Sequence, residues 1–137
     1  MKKITVYFLL FFIGFNVEAQ RKSQTESVLK KIAARIMQQT TYQFVDIKSG
    51  QTYSDLKDVP FTLNMKVKSR YNDWHYTNGV LDIAMMELSG QLHDPQYTDY
   101  VQRNMQFVFN PDNLNYFKQQ YDSVLQQANG LDKVSRQ

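Results

Sequence analysis

Few side chains in this chain could carry chemistry, and they sit in two places. Asp132 stands in Gly130-Leu131-Asp132, five residues before the end. A carboxyl there could move protons, or it could cap the start of a fifth helix. Upstream, Trp74-His75-Tyr76-Thr77-Asn78-Gly79 reads as W-x-Y-x-x-G. Its indole suits core packing or a ligand face, and its phenol combines an apolar body with a polar tip. His75 and His93 have no partner at metal-ligand spacing, so no metal site is expected. With no cysteine, thiol nucleophiles and disulfide frameworks are excluded, and a stable fold must rest on a hydrophobic core.

The elements that must hold these residues follow from periodicity and punctuation. Lys2-Lys3 precedes an apolar run from Ile4 to Phe15, and Val17-Glu18-Ala19 completes the pattern of a secretory signal peptide, cut before Gln20. The run is short for a membrane span. Export to the periplasm or medium is therefore expected, with no membrane attachment after cleavage.

Residues 20–137 are long enough for one small domain. The net charge of +3 is small, and its signs are interspersed. No basic stripe interleaved with aromatics occurs, so nucleic acid is not an expected partner. Nine tyrosines suit either helix packing or a sugar-binding surface.

Ser23-Gln24-Thr25-Glu26 has the form of a capping box, and the apolar rows behind it predict a helix over 24–39. From Thr40 to Asn72 the helical period is lost. Ser49-Gly50 marks a turn there, and Phe61, Leu63, Met65 and Val67 alternate as in an extended segment. This long excursion has room for a short hairpin.

Leu81, Ala84, Met85, Leu88 and Leu92 predict a helix over 74–92 with that stripe facing a core. Asp94-Pro95 then caps a helix over 95–109, striped by Tyr97, Tyr100, Val101, Met105 and Val108. Asn110-Pro111-Asp112 opens a helix over 113–128 carrying Leu114, Phe117, Tyr121, Val124, Leu125 and Ala128, with Asn129-Gly130 as its C-cap. Short turns between helices make antiparallel neighbours, so the expected class is all-α, built of helical hairpins.

The order W-x-Y-x-x-G, Asp94-Pro95-x-Tyr97-x-x-Tyr100, Arg103-Asn104-Met105 and Gly-Leu-Asp at 130–132 resembles the unsaturated glucuronyl and rhamnogalacturonyl hydrolases, glycoside hydrolase families 88 and 105. The likeness covers about Lys30 to Asp132. It implies the first part of an (α/α)6 barrel, an incomplete toroid that stops after the second to third hairpin. It also implies an enzyme that removes an unsaturated uronic acid from oligosaccharides left by polysaccharide lyases, by hydrating the C4–C5 double bond.

Asp132 then corresponds to the first of two active-site carboxylates, and Trp74 and Tyr76 to aromatic positions that contact substrate. The second carboxylate, in a later W-x-D element, is not reached by Gln137. The chain alone is therefore expected to be inactive. No cofactor is implied. The alternative reading is a secreted helical-repeat module that binds a protein or glycan without chemistry.

Overall fold

The chain divides into two units, Met1–Gln38 and Gln39–Gln137. The computed structural model describes the backbone of residues 2–134 and the side chains of residues 20–128. The first unit is a single helix, α1 (Lys2–Gln39), whose last residue begins the second unit. The capping box at Ser23 to Glu26 does not start this helix; it lies inside it. Thr25 Oγ1 instead donates back to Arg21 O at 3.0 Å, the bond a hydroxyl makes in a helix interior. Capping residues permit a start but do not compel one. Val28, Leu29 and Ile32 are exposed, so the two expected apolar rows are not wholly covered. Among the described residues, no helix is long and apolar enough to cross a membrane.

The second unit orders its elements as β1 (Phe44–Asp46), β2 (Thr52–Tyr53), β3 (Met65–Val67), α2 (Tyr76–Leu92), α3 (Gln96–Val108) and α4 (Pro111–Val134). The molecule is mostly helical, with one small sheet. The expected helices over 74–92 and 95–109 appear within two residues of their predicted ends. The excursion after α1 holds more order than a hairpin. Its three strands form an antiparallel sheet in the order β2-β1-β3, with Phe44 opposite both Tyr53 and Val67.

The β1–β2 turn is tied by Asp46, whose Oδ1 accepts from Lys48 N at 2.8 Å and Ser49 N at 2.9 Å. Gly50 closes it at φ +77, a conformation that glycine adopts without strain. The expected extended run over Phe61 to Val67 is a strand only from Met65, and Phe61 and Leu63 stay exposed.

Phe44, Leu56, Met65, Phe107 and Tyr116 form the hydrophobic cluster of this unit. The Phe44 and Phe107 rings stack at 4.6 Å and fasten the sheet to α3. Polar side chains of α4 do the rest. Asn113 Oδ1 accepts from Leu56 N at 3.0 Å, while its Nδ2 donates to Phe107 O at 2.9 Å. Tyr116 OH accepts from Thr62 N and donates to Pro60 O. Gln120 Nε2 donates to Thr62 O and Met65 O. An irregular segment against a core needs partners for its backbone groups, and α4 supplies them.

Helix ends depart from expectation in three places. Pro95 rather than Asp94 occupies the N-cap of α3, although the Asp94 carboxylate still accepts from Gln96 N at 3.2 Å. His93 ends α2 in the left-handed region at φ 51, a place more often given to glycine. Helix α4 starts at Pro111, with Asn110 Oδ1 taking the Asp112 and Asn113 amides, and runs through Asn129-Gly130 to Val134. Gly130 is therefore no C-cap. Asp132 lies in the backbone of the last turn of α4 rather than at the head of a fifth helix; its side chain lies outside the described residues.

Candidate functional site

The segment between β3 and α2, the first two turns of α2 and the facing surface of α3 line an open pocket of about 380 Å³. Its lining includes Trp74 and Tyr76, so the structure brings those two predicted residues together. Both are exposed, Trp74 at 53% and Tyr76 at 78%, which sets aside core packing as their role. Trp74 meets Phe109 at 5.9 Å between ring centroids, and Tyr76 meets His75 at 5.3 Å. These rings form an aromatic rim.

Asn78, the fifth residue of the W-x-Y-x-x-G element, fixes this rim. Its Nδ2 donates to Arg70 O at 3.1 Å, to Asp73 O at 3.2 Å and to the Asp73 carboxylate. One buried amide in the first turn of α2 thus anchors the loop carrying Trp74. Gly79, which closes the motif, has an ordinary φ, and a Cβ built there meets nothing within 4 Å. No close approach demands glycine; its effect is to keep the pocket wall low.

The floor is polar. Asp82 and Asn104 are buried at 6% and 1% exposure, and Asn104 Nδ2 donates to Asp82 Oδ1 at 2.8 Å. Burial raises the Asp82 carboxyl above its ordinary pKa, and the Asn104 bond partly offsets this by favouring the charged form. Asn72 lines the same space, with Nδ2 given to Thr41 O at 3.1 Å. The Oδ1 atoms of Asn72 and Asn104 are buried and have no hydrogen-bond partner. Unpaired buried carbonyls cost free energy and call for an explanation.

Sequence periodicity missed Asp82, Asn78 and Asn104. It placed Leu81, Ala84, Met85, Leu88 and Leu92 on the inner face of α2. The fully buried residues are Asn78, Asp82 and Met85, and Ala84 is exposed. In α3 the buried face is Tyr97, Tyr100, Val101, Asn104 and Phe107, with Met105 turned toward the pocket at 39% exposure. In α4, Tyr121, Val124 and Leu125 are exposed rather than packed. An apolar period cannot register a buried polar stripe. The one local hint was Asn78 and Asp82 at a spacing of four.

Two carboxyl groups line the pocket, Asp73 in the rim loop and Asp82 in the floor. Among the described residues, no three His, Cys, Asp or Glu side chains gather as a metal site would require. The exposed rings of the rim can stack on a ligand ring, and the half-buried Asp73 carboxyl in the same lining can accept from its substituents.

No protein-family model, curated protein or solved structure matches the chain.

Proposed function

We propose that this chain binds a sugar ring in the Trp74–Tyr76 pocket, as part of an exported glycoside hydrolase of the unsaturated uronyl type. The substrates are unsaturated oligosaccharides left by polysaccharide lyases acting on pectin or rhamnogalacturonan, and the reaction is hydration of the C4–C5 double bond. The observation that carries the reading is the juxtaposition in one pocket of exposed rings with a buried carboxyl of raised pKa. Hydration of a vinyl ether needs a carboxylic acid kept partly protonated, and burial is the ordinary means to that end.

On this reading Trp74 and Tyr76 contact substrate and Asp132 is the first catalytic carboxylate. The helical hairpins belong to an (α/α)6 barrel, and residues 1–19 are a signal peptide removed on export. Intact mass of the exported protein beginning at Gln20 supports that last point, and retention of Met1 opposes it.

The test is equilibrium binding of an unsaturated disaccharide from a lyase digest, alongside the absorbance of its conjugated uronate. Binding is expected of this chain, and conversion of a chain that also carries the later W-x-D element. Absence of binding refutes the proposal.

A second reading is a glycan- or protein-binding module without catalysis. It is favoured by the apolar stripe left uncovered on α2, where Val80, Ile83 and Met86 are all more than half exposed. Binding without conversion by any extended form of the chain selects it.

A further inference from the structure

We propose that the hollow on the other side of Trp74 is an anion subsite of the same site, in which Lys66 holds the carboxylate of a uronate ring laid across the indole. The inference rests on the proposed function for its ligand, a uronic acid sugar, and adds the residue that recognises the acid.

The pocket described above lacks such a residue. Its lining contains Asp73 and Asp82 but neither lysine nor arginine. His75, the remaining base there, already shares a hydrogen bond of 2.8 Å with Thr77 Oγ1 through its Nδ1. A carboxylate confined to this pocket meets two carboxyl groups and apolar rings, and a charge without a partner in such surroundings is costly. A uronate ring bound there needs a cation within reach.

That cation lies across the indole. A second open hollow, of about 420 Å³, is lined by Lys66 and Val67 of β3, by Phe117 and Gln120 of α4, and again by Asp73 and Trp74. Asp73 and Trp74 belong to both linings, so they form the ridge between the two hollows. A ring stacked on the exposed indole therefore borders both. Its C4–C5 bond can face the first pocket while the carboxylate on C5 points across the ridge into the second.

Lys66 is held in place and uncommitted. The sheet fixes its backbone, since Lys66 pairs with Val45 of β1, and its side chain is exposed. Among the described residues it forms no ion pair. Its polar neighbours are already engaged: Lys68 Nζ donates to Gln43 Oε1 at 3.0 Å, and Gln120 Nε2 donates to Thr62 O and Met65 O. A lysine ammonium on its flexible stem can follow a carboxylate over the ridge without disturbing the packing beneath. One contribution opposes it. The Asp73 carboxylate borders both hollows and repels an anion, although Asn78 Nδ2 holds it to its own loop. Lys66 is what turns this ridge from rejecting a uronate to accepting one.

Trp74 is the only tryptophan and borders both hollows, so its emission follows a ligand in either. The full chain is titrated near pH 7 at low salt with galacturonate and, separately, with the uncharged methyl ester of the same sugar. The acid should bind about three- to fivefold tighter than the ester, the range an exposed ion pair supplies. The margin should close as salt rises to about 0.5 M, because the pair is screened. Equal binding of acid and ester by the unaltered chain at low salt overturns the inference.

Three variants locate the effect. Lys66→Gln should erase or reverse the margin, since Asp73 is then unopposed, with ester affinity and the helical circular-dichroism signal unchanged. Lys66→Arg keeps the charge and should keep the margin; Asp73→Asn should widen it. A margin that survives Lys66→Gln, or one lost equally in Lys66→Arg, contradicts the assignment. The hydrolase reading fails separately. A Lys66-dependent margin with no conversion by any extended chain removes the reaction alone. Conversion of an unsaturated disaccharide by an extended chain, undiminished at low substrate in Lys66→Gln, removes only this inference.

Discussion

Replacing Asn104 by alanine separates the physics of the pocket floor from generic packing. The side chain is 1% exposed and gives Asp82 a bond of 2.8 Å. A hydrogen bond to a charged group contributes about 1.5–3 kcal/mol. Against that stands the Asn104 Oδ1 atom, buried without a partner, whose removal relieves roughly 1–3 kcal/mol. Adding a small cavity, the net loss near neutral pH comes to about 1–2 kcal/mol.

The pH dependence is the sharper signature. Asp82 has a folded-state pKa raised by burial, so its contribution is fully present below the unfolded pKa and is lost as pH rises through the folded value. The Asn104 bond limits that loss because it favours the charged form. Without it the carboxyl moves further up and the loss at neutral pH deepens. Tyr42, which also feels Asp82, is held above its own ordinary value chiefly by burial and stays neutral across this window.

Urea unfolding followed by far-ultraviolet circular dichroism, near neutral pH and again at or just below the ordinary carboxylate pKa (about pH 3.5 to 4), reads both quantities. The gap between wild type and Asn104→Ala should narrow as pH falls. In an Asp82→Asn background it should be independent of pH. A gap that is constant or widens on acidification with Asp82 present refutes the reasoning.

Other outcomes follow from the same contacts. Gly79→Ala and Gly90→Ala, each in α2 with open space for a Cβ, should each raise stability by about 0.5–1 kcal/mol in urea unfolding. Tyr116→Phe leaves Thr62 N–H and Pro60 C=O without their partner and should cost about 1–3 kcal/mol, with faster amide exchange at Thr62. Phe44→Ala empties the centre of the cluster and should cost about 3–5 kcal/mol by the same measurement. Asp46 has a pKa held below its ordinary value, first by the Ser49 and Lys48 amides. It stabilises the turn above its unfolded pKa and loses that contribution as pH falls through the folded value, so Asp46→Asn should flatten the acid limb of a stability profile.

What the sequence revealed was local. Asn110-Pro111 and Asp94-Pro95 mark helix starts because capping chemistry is complete within a few residues. Trp74 and Tyr76 fall in one pocket because they stand two residues apart at a helix start, a spacing readable from the sequence. The floor was hidden for the opposite reason. Asp82 finds its partner 22 residues away in Asn104, and Asn113 reaches Leu56 across 57 residues. An apolar count gives such positions no weight, so it chose Ala84 and Met105 for faces they do not occupy. The sheet was hidden likewise, since Phe44 meets Val67 only through pairing across the excursion. Gly130 and the Ser23 box erred in the other direction: each allows a helix boundary, and in each the helix continues.

The most direct test of a sugar site is a heteronuclear NMR titration of the chain with an unsaturated rhamnogalacturonan disaccharide. Saturable shifts of the Trp74 indole N–H and of the Asn72, Asn78 and Asn104 side-chain amides are predicted. Shifts confined to the far surface around Lys118 and Asp122, or none at saturating sugar, contradict it.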